Sequence, residues 1–115
     1  MRESKLRKIS TEFAVQVIRV CAQLREYPSL SGRLERAATN IGVNIYGAIH
    51  TSKNSDLTAK LQVALMGCRE ADYCLELFQR AELLDRETVD KLTQQSHEIS
   101  RILTRTIKIL QEDAS

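Results

Sequence analysis

The sequence contains no tryptophan, only one proline and only four glycines, and aromatic residues make up 4% of it. This scarcity is typical of a folded helical protein and excludes a disordered chain of low complexity. Hydrophobic residues account for 43% of the chain and charged residues for 28%. A chain of 115 residues with this composition can bury a core of its own, so we predict a single domain over residues 1–115.

Cysteine is also scarce, with three residues and no CxxC pair. This pattern excludes a zinc site built on such pairs and the dense disulfide framework of small secreted domains. We interpret Cys21, Cys68 and Cys74 as buried, reduced thiols. No apolar run follows the basic N-terminus as in a signal peptide, and none approaches the roughly 20 residues of a membrane span. We therefore expect a soluble, cytoplasmic protein with no membrane partner.

Motifs that would support enzyme chemistry are missing as well. The chain has no glycine-rich phosphate loop, no GxSxG and no HExxH. A ferritin-like di-metal site requires Glu-x-x-His pairs, yet neither His50 nor His97 follows a glutamate by three residues. The cysteines lie on or beside apolar stripes, which favours a structural role over a nucleophilic one. We predict a protein that is not an enzyme and holds no metal or cofactor, with an enzyme kept as a third alternative.

Apolar residues recur at spacings of three and four in four segments, and this period predicts helices. The first segment ends because Pro28 disfavours helix at the residue before it. Ser52 or Asn54 is suited to cap the third helix, and Asp85 the fourth. The predicted helices are residues 10–25, 29–50, 55–82 and a last one that follows Asp85. Short connections imply antiparallel neighbours, so we predict an all-α, up-down-up-down four-helix bundle.

Two glycines, Gly42 and Gly47, lie inside the second predicted helix, where each costs about 0.5–1 kcal/mol relative to alanine. With neighbouring alanines they form a small-residue patch that another helix can approach closely, and Tyr46 beside it offers a large anchor. A tight crossing inside the bundle and a contact between subunits both remain open. Asn40 and Asn44 lie on one helical face, which is either solvated or hydrogen-bonded to a neighbouring helix.

Basic residues form stripes on the second and fourth predicted helices, at spacings of three and four. In an oligomer, symmetry would combine these stripes into a larger positive surface than the net charge of +2 indicates, and nucleic-acid phosphates would be the partner. Solvated faces are the alternative. An acidic group, Glu70, Asp72 and Glu76, is either solvated or paired with arginine, or it binds a partner. The predicted nucleic-acid contacts are Arg33, Arg36, Lys60, Arg101, Arg105 and Lys108.

Three stretches resemble the 23S rRNA intervening-sequence protein family, also called the four helix bundle protein family: SGRLERAATNIGVNIYGA, SDLTAKLQVALMGCREADYCLELFQRAELL and ISRILTRTIKIL. The resemblance covers about residues 10–111. The matching positions are Leu34, Arg36, Ile41, Gly42, Asn44, Ile45, Ala48, Asp56, Lys60, Leu61, Ala64, Glu70, Tyr73, Leu75, Glu76 and Leu77. The chain departs from the family pattern at Gly47, where glutamate is usual, at Cys74, where tryptophan is common, and at Leu57, where an aromatic is usual.

This resemblance implies an antiparallel four-helix bundle that assembles as a homopentamer, encoded in some bacteria within insertions in ribosomal RNA genes. It implies no established activity. A related group, the accessory proteins of diversity-generating retroelements, shares the bundle and the pentamer and is thought to bind nucleic acid and a reverse transcriptase through a basic surface. We therefore expect a bacterial homo-oligomer whose partner is ribosomal or other structured RNA, or a reverse transcriptase complex.

The small-residue patch coincides with the most distinctive motif of the family, which favours a role in subunit contacts. The predicted oligomer interface comprises Gly42, Asn44, Tyr46, Gly47 and Tyr73. The alternative function is a protein-interaction scaffold with no affinity for nucleic acid.

Overall fold

A computed structural model describes residues 2–114 of the chain, and the side chains of residues 5–113. It contains four helices: α1 (Arg2–Cys21), α2 (Pro28–Ile49), α3 (Asn54–Arg80) and α4 (Arg86–Ala114). Between residues 2 and 114 there is no strand. The predicted all-α four-helix fold is confirmed.

The helices are arranged as a square in chain order. Both α1 and α3 contact α2 and α4, whereas the diagonal pairs make no contact within residues 2–114. Consecutive helices are joined by connections of four to six residues. Such connections span at most about 20 Å, much less than the roughly 40 Å length of α3, so neighbouring helices run in opposite directions. Contacts between α1 and α2 agree, because Cys21 bonds to Ser31 near one end while Arg7 covers Tyr46 near the other.

Helix α1 begins earlier and ends earlier than the sequence predicts. Leu6 is buried on the same stripe as Phe13, two turns earlier. Ser10, which lies between them, is buried too, and its hydroxyl donates to the Arg7 carbonyl at 3.1 Å. The polar Ser10 interrupts the apolar pattern, and for this reason the sequence prediction omitted the first two turns of α1. At the other end, the Leu24 N–H bonds to the Cys21 carbonyl in a turn, which stops the helix while still burying Leu24.

The other helix ends differ less from the prediction. Pro28 is the first residue of α2, where its missing N–H costs nothing. The predicted side-chain caps of α3 are wrong, because the capping residue is Lys53 and no side chain bonds to the free N–H groups. After α3, Glu82 adopts a left-handed φ of 61°, and the Glu82 and Leu83 N–H groups bond to carbonyls of the last turn. Helix α4 follows Asp85 as predicted.

The core is formed by one stripe from each helix, and its largest fully buried side chains include Phe13, Leu34, Phe78 and Leu103. In α4 the stripe continues to Ile107, which is 7% exposed, whereas Ile109 is 40% exposed. The buried stripe of α4 therefore passes through Ile107 and not through Ile109.

Helices α2 and α3 approach each other closely at Gly67. A Cβ atom added at Gly67 would lie 2.8 Å from Ile41 Cγ1 and 3.2 Å from the Ala37 carbonyl oxygen. At Gly42 a Cβ would meet nothing within 4 Å, and at Gly47 the nearest atom is Lys60 Cδ at 3.5 Å. A tight crossing inside the bundle therefore does not explain Gly42; that constraint belongs to Gly67.

The three cysteines are free and buried, as predicted. Burial in apolar surroundings raises the pKa of Cys21 to about 12 and that of Cys68 to about 11, and it raises the pKa of Cys74 as well. A weaker cause at Cys21 is the negative charge of Glu35. Neutral thiols of this kind are poor nucleophiles at neutral pH.

The same substitution should have opposite effects on stability at Gly67 and at Gly42. We expect Gly67→Ala to lower the free energy of unfolding by about 1–2 kcal/mol, since the strain of overpacking exceeds the gain in helix propensity. Gly42→Ala should raise the free energy of unfolding of the isolated subunit by about 0.5–1 kcal/mol, because within one subunit the new methyl group meets no atom within 4 Å. Urea unfolding followed by circular dichroism measures both, and equal effects of the two changes would contradict this assignment.

The buried thiol of Cys21 predicts a loss of stability at alkaline pH. Below pH 9 the thiol is protonated in both states, but between pH 9 and about 12 only the unfolded chain ionises, which favours unfolding. The free energy of unfolding should therefore fall more steeply above pH 9 for the wild type than for Cys21→Ala. Urea titrations from pH 7 to 11 test this, and parallel pH profiles of the two proteins would refute it.

Candidate functional site

Charge is distributed unequally along the bundle. Dividing each helix at its midpoint gives a half that holds the α2–α3 connection, residues 2–11, 39–67 and 100–114, with nine basic and four acidic residues. The other half, residues 12–38 and 68–99, has eight basic and eleven acidic residues. We call the first the basic half, and its net charge is +5. We call the second the acidic half, and its net charge is −3.

Basic side chains of α1 and α4 lie along the outside of the basic half. Lys5 and Arg105 line one pocket. Lys8 lies one turn further along α1 and Arg101 one turn back along α4, so the antiparallel register places these two level with each other. All four side chains are exposed. We call Lys5, Lys8, Arg101 and Arg105 the basic seam.

The basic residues predicted from the sequence do not form one surface. Arg33 and Arg36 lie in the acidic half on α2, which does not touch α4 within the described chain. Arg33 pairs with Glu70 at 3.5 Å, and Arg36 extends back along its own helix towards Gly32. The predicted residues in the basic half are Lys60, Arg101, Arg105 and Lys108.

Sequence reasoning missed Lys5 and Lys8. Both precede residue 10, where the first helix was expected to begin, so they were not placed on any helical face. The signal that could have identified them is Leu6, which lies seven residues before Phe13 and so continues the stripe by two turns.

Glu70 and Glu76 of the acidic group pair with arginine, which is one of the interpretations that the sequence left open. Besides the Glu70 pair, Glu76 lies 3.1 Å from Arg80, and Asp72 Oδ2 lies 3.4 Å from His97 Nε2 on α4. These contacts leave no cluster of three free carboxylates at this site.

The predicted interface residues do not share one face, since those of α2 point to different sides of that helix and Tyr73 lies on α3. Tyr46 faces α1, because the Arg7 guanidinium lies 4.5 Å above its ring, and the His50 ring meets it edge-on at 4.8 Å. Gly47 faces Lys60 of α3 instead. The Asn44 side-chain amide donates a local hydrogen bond to the Asn40 carbonyl at 2.8 Å, within its own helix.

An exposed apolar surface runs along the seam between α2 and α3. Val43 is 66% exposed, Met66 65%, Tyr73 61% and Val63 46%. The approach of Gly47 to Lys60 and of Ile41 to Gly67 places Val43 level with Val63. Intervals of three and seven residues keep Val63, Met66 and Tyr73 on one face of α3. We call these four residues the apolar seam; around the square it lies opposite the basic seam.

The described part of the chain also lacks a metal-binding cluster and a membrane-spanning helix. Residues 2–114 contain no group of three or more His, Cys, Asp or Glu side chains that could hold a metal ion. Among the four helices as described, none is long and apolar enough to cross a bilayer.

Comparison with known proteins shows the relationship of the chain. A family model described as 23S rRNA-intervening sequence protein matches residues 2–105. A similar solved structure is the 1.70 Å crystal structure of a protein of unknown function from the S23 ribosomal protein family of Bacteroides thetaiotaomicron VPI-5482. It shares 32% identity, with a TM-score of 0.88, and the match covers 94% of this chain and 99% of the other. No curated protein matches the sequence. The chain thus belongs to the 23S rRNA-intervening sequence protein family.

Proposed function

We propose that this protein is a non-enzymatic, oligomeric nucleic-acid-binding protein that holds structured RNA through its basic seam. The observation that supports this most directly is the pocket that Lys5 and Arg105 share in a half of the molecule with a net charge of +5. The helix register places Lys8 and Arg101 one turn away from that pair. Phosphate contacts from such exposed cations supply affinity without reading the base sequence.

Self-association completes this proposal. Four exposed cations make a weak site, but copies joined in one assembly raise the effective affinity for a long polyanion. The apolar seam offers an attractive surface for contacts between copies, since exposed apolar patches mark interaction sites. It lies opposite the basic seam, so its burial leaves the cations accessible.

A homopentamer is the assembly that the family resemblance implies, and we retain it within the proposal. A closed ring requires two different surfaces on each subunit. The apolar seam is one of them. The open space beside Gly42, where no atom lies within 4 Å of an added Cβ, offers room for a neighbouring helix as the second.

The second candidate function is a protein-interaction scaffold with no affinity for nucleic acid. The observation that favours it is the apolar seam itself, because exposed tyrosine and methionine are typical of protein-binding surfaces. A reverse transcriptase complex is one partner that would suit this function.

The proposal predicts that the two sets of basic residues contribute unequally to RNA binding. Replacing Arg101 and Arg105 together by glutamine should weaken RNA binding by about tenfold. The slope of log affinity against log salt should become shallower by about 1.4–1.8, because two phosphate contacts are lost. Replacing Arg33 and Arg36 in the same way, as a charge-matched control, should change both quantities much less. Fluorescence anisotropy with a labelled RNA hairpin over a salt series measures this.

Two outcomes would count against the proposal. Equal losses from both double substitutions would show that binding is spread over the whole surface and that the basic seam has no special part. If the wild type fails to bind RNA or matched DNA even at low salt, the scaffold function takes its place.

The proposed assembly predicts that a charge on the apolar seam dissociates the oligomer. We expect the wild type to have the mass of several subunits. Met66→Glu should reduce the mass to that of the monomer without loss of helicity. The reason is that the new carboxylate would be buried between subunits without a partner. Gln94→Glu adds the same charge at an exposed position of α4 and should leave the mass unchanged. Sedimentation equilibrium tests this, and an unchanged mass for Met66→Glu would place the subunit contact elsewhere.

A further inference from the structure

An apolar cavity of about 210 Å³ lies in the basic half, at the end of the bundle where α2 leads into α3. All four helices line it, with Leu6 from α1, Ile45 from α2, Leu61 from α3 and Ile102 from α4. The cavity is partly open to solvent, so a ligand can reach it from outside. A space of this size, formed at one end of a bundle whose centre is closely packed, is therefore a candidate ligand site.

The cavity is lined mainly by apolar side chains and offers few polar groups to water. Its two hydroxyl-bearing residues already donate within their own segments, Thr51 to the Gly47 carbonyl at 2.9 Å and Thr106 to the Ile102 carbonyl at 2.8 Å. A buried water needs two to four polar partners, and apolar cavities that lack them remain dry and bind hydrocarbons. The lining therefore favours a hydrocarbon group over water.

A second, smaller pocket of about 160 Å³ adjoins this cavity on the α1–α4 side. Ile102 and Thr106 line both spaces, and the other two residues of the smaller pocket are Lys5 and Arg105. An apolar space thus borders a pair of exposed cations. Ammonium and guanidinium groups form charge-assisted hydrogen bonds with carboxylates.

We propose that this end of the bundle binds a small amphipathic carboxylate, with its hydrocarbon chain in the apolar cavity and its carboxylate between Lys5 and Arg105. A cavity of about 150 Å³ holds benzene, with six carbons, and by the same scale 210 Å³ holds about eight. A medium-chain fatty acid or an arylalkanoic acid has this size and charge.

The proposed carboxylate site does not depend on the proposed RNA binding, although Lys5 and Arg105 take part in both. A bound carboxylate would compete with phosphate for these cations, so the ligand would weaken RNA binding at the basic seam. Octanoate binding is measured without nucleic acid, so its result does not depend on whether the protein binds RNA.

The hydrocarbon part is tested with octanoate as the probe, using calorimetry and the methyl NMR signals of the lining residues. Wild type should bind octanoate with shifts at Leu6, Ile45 and Leu61. Ala48→Leu places extra carbons in the cavity and should weaken binding at least tenfold. Ala59→Leu makes the same change at an exposed position of α3, so its affinity should match the wild type.

The carboxylate part is tested by comparing octanoate with 1-octanol, which has the same chain and no charge. Lys5→Gln and Arg105→Gln should each weaken octanoate three- to fivefold, the effect of an exposed ion pair of up to about 1 kcal/mol. Binding of octanol should not change. Lys108→Gln removes an exposed cation that does not line the pocket, so it should leave octanoate affinity unchanged.

Several results would overturn the proposal. One is equal octanoate affinity of wild type and Ala48→Leu; another is NMR shifts confined to residues outside the cavity; a third is no binding at millimolar octanoate. If octanol and octanoate lose affinity equally on Arg105→Gln, the cations have no part in recognition and the carboxylate assignment is wrong. The wild-type NMR map decides the matter even if Ala48→Leu does not fold.

Discussion

The close approach of α2 and α3 at Gly67 is the constraint on which the surface of this bundle depends. Since a Cβ there would lie 2.8 Å from Ile41 Cγ1 and 3.2 Å from the Ala37 carbonyl oxygen, the two helices can meet this closely only at a glycine. That contact sets the register of the pair. The register in turn places Val43 beside Val63 on the outside and directs the last turn of α2 towards the start of α3, where the apolar cavity lies.

Periodicity alone predicts the number of helices, their order and most of the core, because burial of one stripe per helix dominates the free energy of a bundle. Periodicity fails where a polar residue is buried, as Ser10 is, and the predicted first helix therefore began two turns too late. It also cannot distinguish Gly42 from Gly67. Both lie within helices, and only the direction of each residue relative to a neighbouring helix shows which one a partner approaches.

The candidate site could be predicted only in part, for a related reason. Arg101 and Arg105 are visible as a stripe on one helix, but their companions Lys5 and Lys8 lie almost 100 residues earlier and become neighbours only when α1 packs against α4. Arg33 and Arg36 form an equally regular stripe, yet Glu70 on the adjacent helix pairs with Arg33. Spacing within one helix reports which residues share a face; it carries no information about the charges that the next helix brings to it.

The separation of +5 and −3 along a molecule 47 Å long makes the bundle an electric dipole directed along its helices. In the field of a polyanion such a molecule turns before it makes contact, so that the end with the α2–α3 connection arrives first. If subunits assemble with their helices parallel to a common rotation axis, these dipoles add rather than cancel. The ring would then have one cationic rim and one anionic rim, and a polyanion could distinguish its two faces from a distance of about one Debye length, roughly 10 Å at 0.1 M salt.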